Sequence, residues 1–184
     1  MKKELIELGL EVDEYDMDME EMKKNEFFQT QRESFKNSPN LVAVLKGTGN
    51  SKKIKIDVNA GQENKEEKFS SIILNGHVDV VPEGEAKWSD DPFSGKIENG
   101  RIFGRGSTDM KGGVFSSYLA LKILKNLGIK LKGDVIFQSV VEEESGGAGT
   151  LSTVLRGYKA DAAIIPEPTN MKIFPKQQVL KISI

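Results

Sequence analysis

One histidine and a few carboxylates are the side chains in this sequence that could support chemistry. His77 and Asp79 lie in the segment Asn-Gly-His-Val-Asp, and Asp109 lies in a glycine-rich segment. Residues 142–144 are three consecutive glutamates, and Glu167 lies between two prolines. An imidazole nitrogen and several carboxylate oxygens form a ligand set suited to zinc, cobalt or manganese.

Each of these residues also has an ordinary structural explanation. His77 could be a polar loop residue, and Asp79 could cap a turn. Asp109 could be the N-cap of the helix that follows it, since aspartate is favoured there. The glutamate run could be a solvated surface segment, and Glu167 could belong to a rigid surface turn. Taken one at a time, these explanations outweigh a metal role.

The positions of these residues relative to the predicted strands favour a shared site. Apolar runs predict strands over residues 70–74, 134–141 and 160–165. His77, the glutamate run and Glu167 each follow the carboxyl end of one of them. Ligands of open α/β sheets bind at that end of the strands, so these side chains are expected to converge.

The remaining patterns predict an α/β fold with a mostly parallel central sheet flanked by helices. Apolar residues at helical spacing predict a helix directly after Asp109, and Gly128 ends it. This helix covers 111–127, and the further predicted elements are helices over 2–8 and 150–155, strands over 10–16 and 41–45, and a hairpin over 96–103. Alternation of Ile54, Ile56 and Val58 predicts a surface hairpin within 46–68, and a charged loop there is about equally expected. Strands alternating with helices are typical of this fold class.

Composition excludes several classes of function. The chain has 184 residues and a formal net charge of −2, so no dominant basic surface for nucleic acid or anionic lipid is expected. It has no cysteine, which excludes disulfides, thiolate zinc sites and a cysteine nucleophile. No apolar run is long enough to span a membrane, and the N-terminal segment lacks a signal-peptide core, so a cytoplasmic protein is expected.

Four motifs carry a resemblance to a known family. In chain order they read NGHVDVVP, GRGSTDMKGG, VVEEESGGAGTL and EPTN. Together they strongly resemble the co-catalytic zinc amidohydrolases, which include acetylornithine deacetylase, succinyl-diaminopimelate desuccinylase, aminoacylase and bacterial glutamate carboxypeptidase. The resemblance extends from about Asn40 to Gln178.

The resemblance implies a role for each candidate residue in the first two motifs. His77 corresponds to a metal ligand, and Asp79 to the residue that orients its ring through the other nitrogen. Asp109 corresponds to a carboxylate that bridges two metal ions. The family also has a non-proline cis peptide bond after this aspartate, which would fall at Asp109–Met110.

The acidic motif of the family is usually D-E-E-x-G, and three glutamates leave its register open. Counting back from Gly146 makes Glu142 the replacement for the usual aspartate. Glu143 is then the general base and Glu144 a metal ligand. The acidic residue before Pro-Thr-Asn, here Glu167, is implied to bind the first metal.

The function implied by the resemblance is metal-dependent hydrolysis of the amide bond of an N-acyl amino acid or dipeptide. Two zinc ions are implied for a complete site, with cobalt or manganese as alternatives, and complete family members are expected to be homodimers. Neither nucleic acid nor membrane is an expected partner. A nucleotide-binding alternative is weak, because the glycine-rich segment lacks G-x-G-x-x-G after a strand.

The ligand count leads to an expectation about the extent of the chain. One metal would take His77, Asp109 and Glu167, and the second only Asp109 and Glu144, because the family supplies a further histidine near its C-terminus. Residues 1–175 are expected to form an incomplete metal-bearing catalytic domain, and residues 176–184 the first strand of a missing smaller dimerisation domain. The isolated chain is then expected to have negligible amidase activity. The alternative is a truncated, inactive protein that binds one metal or only a ligand.

Overall fold

The computed structural model describes residues 1–49, 70–85, 87–170 and 172. The helices in this part are α1 (Lys2–Glu7), α2 (Met19–Met22), α3 (Gly112–Asn126) and α4 (Ala148–Leu155). The strands are β1 (Glu11–Tyr15), β2 (Asn40–Leu45), β3 (Ile72–His77), β4 (Ile97–Glu98), β5 (Arg101–Ile102), β6 (Val135–Val140) and β7 (Ala162–Ile164). Strands β4 and β5 form the predicted hairpin, with Asn99 and Gly100 both at positive φ in its turn.

A five-stranded sheet forms the centre of the fold, in the order β1-β2-β6-β3-β7. Strands β6, β3 and β7 are parallel neighbours, whereas β2 is antiparallel to both β1 and β6. Because β1 and β6 both run opposite to β2, only β2 is reversed among the five. The predicted α/β class with a mostly parallel central sheet is confirmed.

Apolar clusters on the two faces of the sheet hold the helices in position. One cluster joins Leu5 of α1 and Val114, Tyr118 and Leu121 of α3 to Phe137 of β6. On the other face, Met22 of α2 and Phe35 pack with Ala148 of α4. Burial of such side chains is the main contribution that holds these layers together.

One strand prediction differs from the structure in a way that affects the site. Strand β3 runs from Ile72 to His77 rather than over the predicted 70–74, so Asn75 and Gly76 are strand residues. A Cβ atom on Gly76 would lie 2.8 Å from Val114 Cγ2 and 2.9 Å from Met110 Cε, so this glycine allows α3 to pack closely on the strand. In α3, which the helical spacing predicted, Val114, Tyr118 and Leu121 are buried. The apolar row of the same helix that is exposed consists of Phe115, Leu119, Ile123 and Leu127.

Two other predictions lie outside the described residues. These are the hairpin around residues 54–58 and the strand over 176–184. Within the described residues, no helix has the length and apolar character needed to cross a bilayer.

Candidate metal centre

His77 is the buried centre of a group of carboxylates at the carboxyl edge of the sheet. It is the last residue of β3 and is 1% exposed. Its Nε2 atom lies 3.2 Å from Asp109 Oδ1, 3.8 Å from Glu143 Oε2 and 3.9 Å from Glu167 Oε1. The three parallel strands β3, β6 and β7 therefore bring together side chains that are far apart in sequence.

The other ring nitrogen is held by the backbone. His77 Nδ1 is 3.0 Å from the carbonyl oxygen of Asp79, a hydrogen-bond distance if Nδ1 carries the proton. That tautomer directs the lone pair of Nε2 at the carboxylates. A lone pair facing carboxylate oxygens is favourable only with a cation between them, either a proton or a metal ion.

Asp79 makes a different main contact from the one expected. Its carboxylate Oδ1 is 3.6 Å from His77 Nδ1, which is too long for a hydrogen bond. The carboxylate instead accepts hydrogen bonds from the backbone N–H groups of Glu143 and Glu144, at 3.3 and 3.2 Å. Asp79 therefore links the end of β3 to the turn that carries the glutamates.

Asp109 and Glu167 are held by two loops that meet at the N-terminus of α3. Asp109 lies in the kinked segment Ser107–Lys111 with non-helical backbone angles, and the expected cis peptide bond at Asp109–Met110 is confirmed. Glu167 follows Pro166, whose carbonyl oxygen would lie 2.2 Å from a Cβ atom on Gly113. Helix α3 thus packs directly on the turn that carries Glu167, in a contact that leaves room only for glycine.

His77, Asp109 and Glu167 could hold one metal ion. One potential ligand atom from each lies within 4.8 Å of the others. One nitrogen and two carboxylate oxygens form a donor set that fits zinc, cobalt or manganese. Within the described residues, Glu144 is not part of this converging group, although its backbone N–H binds Asp79.

The three glutamates point in different directions. Glu143 approaches His77, whereas Glu142 is 3% exposed and lies on the opposite side of the turn, at Thr30 and Arg32. Sequence reasoning missed Thr30 and Arg32, because no motif marks residues that are more than 100 positions away from their partner. The only signal in the sequence that sets Glu142 apart is its position, at which the D-E-E-x-G motif usually has aspartate.

Electrostatics in this cluster favour an added positive charge. Burial lowers the pKa of His77, but the Asp79 carbonyl and the charges of Asp79, Glu143 and Glu167 outweigh it and raise the pKa. Burial raises the pKa of Glu143 and of Glu167; His77 opposes this, and neighbouring carboxylates add to it. A carboxyl group whose pKa is raised in this way is suited to general acid–base chemistry.

Comparison with known proteins identifies the family. A sequence profile of peptidase family M20/M25/M40 matches residues 73–176, which contain all the residues of this cluster. Structures that resemble the fold include the M20 family metallo-carboxypeptidase Sso-CP2 from Sulfolobus solfataricus, with a TM-score of 0.57 and 24% identity over 90% of this chain and 30% of that one. Human carnosine dipeptidase 1 has a TM-score of 0.54 and 22% identity over 89% of this chain and 30% of that one.

Curated relatives share more of the sequence. The N-formyl-4-amino-5-aminomethyl-2-methylpyrimidine deformylase of Halalkalibacterium halodurans is 44% identical over 140 residues, which is 76% of this chain and 29% of the relative. The Bacillus subtilis protein of the same name is 37% identical over 171 residues, covering 92% of this chain and 32% of the relative. A succinyl-diaminopimelate desuccinylase from Methylobacterium radiotolerans is 38% identical over 105 residues, which is 54% of this chain and 27% of the relative.

The chain spans about a third of the length of the two deformylases that it matches. The family profile nevertheless covers more than half of the chain, and the motifs around His77, Asp109, Glu143 and Glu167 fall within it. The resemblance inferred from these motifs is thereby confirmed, and the chain belongs to peptidase family M20/M25/M40.

Proposed function

We propose that this chain is the metal-bearing part of an enzyme that hydrolyses the amide bond between a small acyl group and an amine. The observation that carries the proposal is the convergence of His77, Asp109 and Glu167 on one point, with Glu143 beside them. A buried nitrogen ligand, two oxygen ligands and a carboxylate of raised pKa are the parts that metal-assisted hydrolysis requires.

A formamide of a small heterocyclic amine is the first substrate to test. The names of the Halalkalibacterium and Bacillus relatives support this choice, because those proteins match more of the chain than the desuccinylase does. Succinyl and acetyl amides of amino acids, and dipeptides, are the alternatives.

The proposed ligands of the first metal ion are His77, Asp109 and Glu167. Asp109 is proposed to reach a second ion as well, together with Glu144. Zinc is the proposed metal, with cobalt or manganese as alternatives, since all three accept this mixed donor set. When bound, such an ion supplies Lewis-acid polarisation of the amide carbonyl and lowers the pKa of water.

The protein residues supply the proton transfers. Glu143 is proposed to accept a proton from the attacking water and to deliver it to the leaving amine as the amide bond breaks. The raised pKa of Glu143 suits both steps, because the group must accept and release a proton near neutral pH. The Asp79 carbonyl holds the His77 ring in the tautomer that directs Nε2 at the ligand group.

The second candidate function is that of a protein that binds one metal and has no activity. It is favoured by the ligand set, because His77 is the only histidine of the chain and one site uses it. This candidate predicts tight zinc binding without turnover of any amide.

One experiment separates the two candidates. The protein produced from its native gene is purified, stripped of metal and reconstituted with zinc, and hydrolysis of N-formyl, N-succinyl and N-acetyl substrates is measured. Zinc-dependent turnover of one substrate class supports the enzyme. Zinc binding with no turnover of any of them supports the second candidate and contradicts the first.

The boundary near residue 175, the homodimer and the cytoplasmic location remain predictions. Light scattering of the protein from the native gene tests the homodimer, and fractionation of the source cells tests the location.

A further inference from the structure

The first residue of the glutamate run, Glu142, is buried although runs of acidic residues usually lie in solvent. Its side chain is 4% exposed, whereas that of Glu143 is 45% exposed. Burial of a carboxylate is costly unless it has hydrogen-bond partners. Its partners therefore indicate what holds this part of the turn.

Those partners come from the N-terminal region, outside the segment matched by the family profile. The Thr30 hydroxyl donates a hydrogen bond of 2.6 Å to Glu142 Oε1, and Arg32 Nη1 lies 3.6 Å from Oε2. The Thr30 oxygen also accepts the backbone N–H of Arg32 at 3.0 Å. The two residues thus form one unit around the carboxylate, and we call Thr30, Arg32 and Glu142 the glutamate clamp.

The glutamate clamp is anchored in the hydrophobic core. The Arg32 guanidinium carbon lies 5.5 Å from the centroid of the Phe35 ring, and Nη2 donates to Ser38 Oγ at 2.8 Å. Phe35 is 1% exposed and packs in the cluster with Ala148 of α4. Movement of Glu142 is therefore opposed by contacts that extend into the packed interior.

The backbone at Glu142 explains why such a clamp is needed. Its φ angle is 65°, a left-handed conformation that non-glycine residues adopt only when their surroundings hold them there. Directly after this residue, the N–H groups of Glu143 and Glu144 both point at the Asp79 carboxylate. The clamp on one side and Asp79 on the other thus hold the two ends of the same short turn.

We propose that Glu142 is a positioning residue: held by Thr30 and Arg32, it fixes the turn that aims Glu143 at the metal centre. The proposal rests on the function proposed above, because it takes Glu143 as the proton-transferring group. It assigns the region around residues 30–32 a role in positioning the site. It also gives Glu142 a role different from those proposed for Glu143 and Glu144.

The direct test measures opening of the turn in this chain without any substrate. Amide hydrogen exchange at Glu143 and Glu144 is compared by NMR in the wild type, Thr30→Val and Thr30→Ser. Thr30→Val keeps the shape but removes the hydroxyl, which donates to Glu142 and accepts the Arg32 N–H. Exchange at both amides is expected to accelerate about 10-fold or more, since the loss of one hydrogen bond alone has about that effect. Thr30→Ser restores the hydroxyl and is expected to exchange like the wild type.

The matched control is Thr153→Val in α4. Thr153 is fully buried, and its hydroxyl donates to the Thr150 carbonyl at 2.8 Å rather than to a residue of the clamp. This variant is expected to lose stability in urea without faster exchange at Glu143 and Glu144. Equal acceleration in Thr30→Val and Thr153→Val would overturn the proposal, because the effect would then be global.

Kinetics of the protein from the native gene give the second readout. Thr30→Val is expected to lower kcat about 10-fold with KM changed less than about 3-fold, and Thr30→Ser to restore it. If Thr30→Val does not fold, Glu142→Gln takes its place with the same expectation of faster exchange, because the amide loses the charge facing Arg32. Unchanged exchange at the Glu143 and Glu144 amides in the folded variants overturns the positioning role of Glu142 and leaves the proposed function intact. Faster exchange in the variants, together with no hydrolase activity in the wild type, overturns only the proposed function.

Discussion

Substitution of Gly113 by alanine tests whether the packing of α3 sets the position of Glu167. A Cβ atom at this position would lie 2.2 Å from the carbonyl oxygen of Pro166 and 3.0 Å from its Cγ atom. Ordinary contact begins at 3.4 Å, so the helix and the turn must separate by about 1.2 Å. Because Glu167 is the next residue along the chain, this displacement moves a proposed ligand.

The expected result is weaker zinc binding without unfolding. Metal–ligand distances tolerate deviations of only about 0.2 Å, so a shift of this size removes Glu167 as an effective ligand. We expect zinc affinity to fall by about 10- to 100-fold. This corresponds to a loss of about 1.4–2.8 kcal/mol in binding free energy. Alanine favours a helix over glycine by about 1 kcal/mol. This gain offsets part of the free energy of unfolding that the steric contact with Pro166 costs.

The assay is a competition titration of the purified chain with a chromophoric zinc chelator, with urea unfolding measured in parallel. The control is Ser116→Ala, an exposed position of the same helix whose hydroxyl donates to the Gly112 carbonyl at 2.8 Å. Its zinc affinity should stay within about twofold of the wild type, since a surface change there touches no ligand. A folded Gly113→Ala protein with wild-type zinc affinity would refute the reasoning that this contact positions Glu167.

Three further predictions address the ligand count, the surface electrostatics and the core. His77→Ala should abolish tight zinc binding because it removes the only imidazole, and metal analysis after dialysis should find about one ion per wild-type chain; two tightly held ions would contradict the count. Asp13→Asn should cost about 1 kcal/mol at neutral pH, since the Asp13 carboxylate accepts hydrogen bonds from Arg156 and Tyr158. The Arg156 hydrogen bond lowers the pKa of Asp13, so the stabilisation by the Asp13 carboxylate is complete above the ordinary pKa of aspartate. The cost of Asp13→Asn, measured by urea unfolding at a series of pH values, should therefore fade as the pH falls below about 4. A cost that persists at low pH would argue against the ion pair. Phe137→Ala should lower the free energy of unfolding by about 3–5 kcal/mol because the ring is fully buried, and a loss below 1 kcal/mol would contradict its place in the core.

The convergence of the candidate site was predictable because it depends on a general property of parallel strands. His77, the glutamate turn and Glu167 follow neighbouring strands β3, β6 and β7, whose carboxyl ends share one edge of the sheet. The hairpin around residues 97–102 was predictable because its turn contains Asn-Gly, which adopts positive φ readily. Both predictions rest on local patterns and on rules that hold for any fold of this class.

The parts that sequence did not predict depend on contacts between distant segments. Gly76 lies beyond the predicted strand over 70–74, but in the structure it is a strand residue that lets Val114 and Met110 approach β3. The contact between Thr30 and Glu142 spans 112 positions, and neither residue lies in a pattern that points to the other. Helical periodicity identified α3 but not which of its apolar rows is buried, because that choice is made by the partner surface.

The central claim is that Glu143 moves the proton in a reaction that depends on a metal held by His77, Asp109 and Glu167. The most direct measurement compares wild type and Glu143→Gln, both loaded with zinc and produced from the native gene, in the hydrolysis of the preferred acyl substrate. The matched control is Glu98→Gln, an exposed glutamate of the β4–β5 hairpin. We expect zinc to bind to all three proteins, wild-type turnover for Glu98→Gln, and a loss of about 10²- to 10⁴-fold for Glu143→Gln. Turnover of zinc-loaded Glu143→Gln within about twofold of the wild type would contradict it.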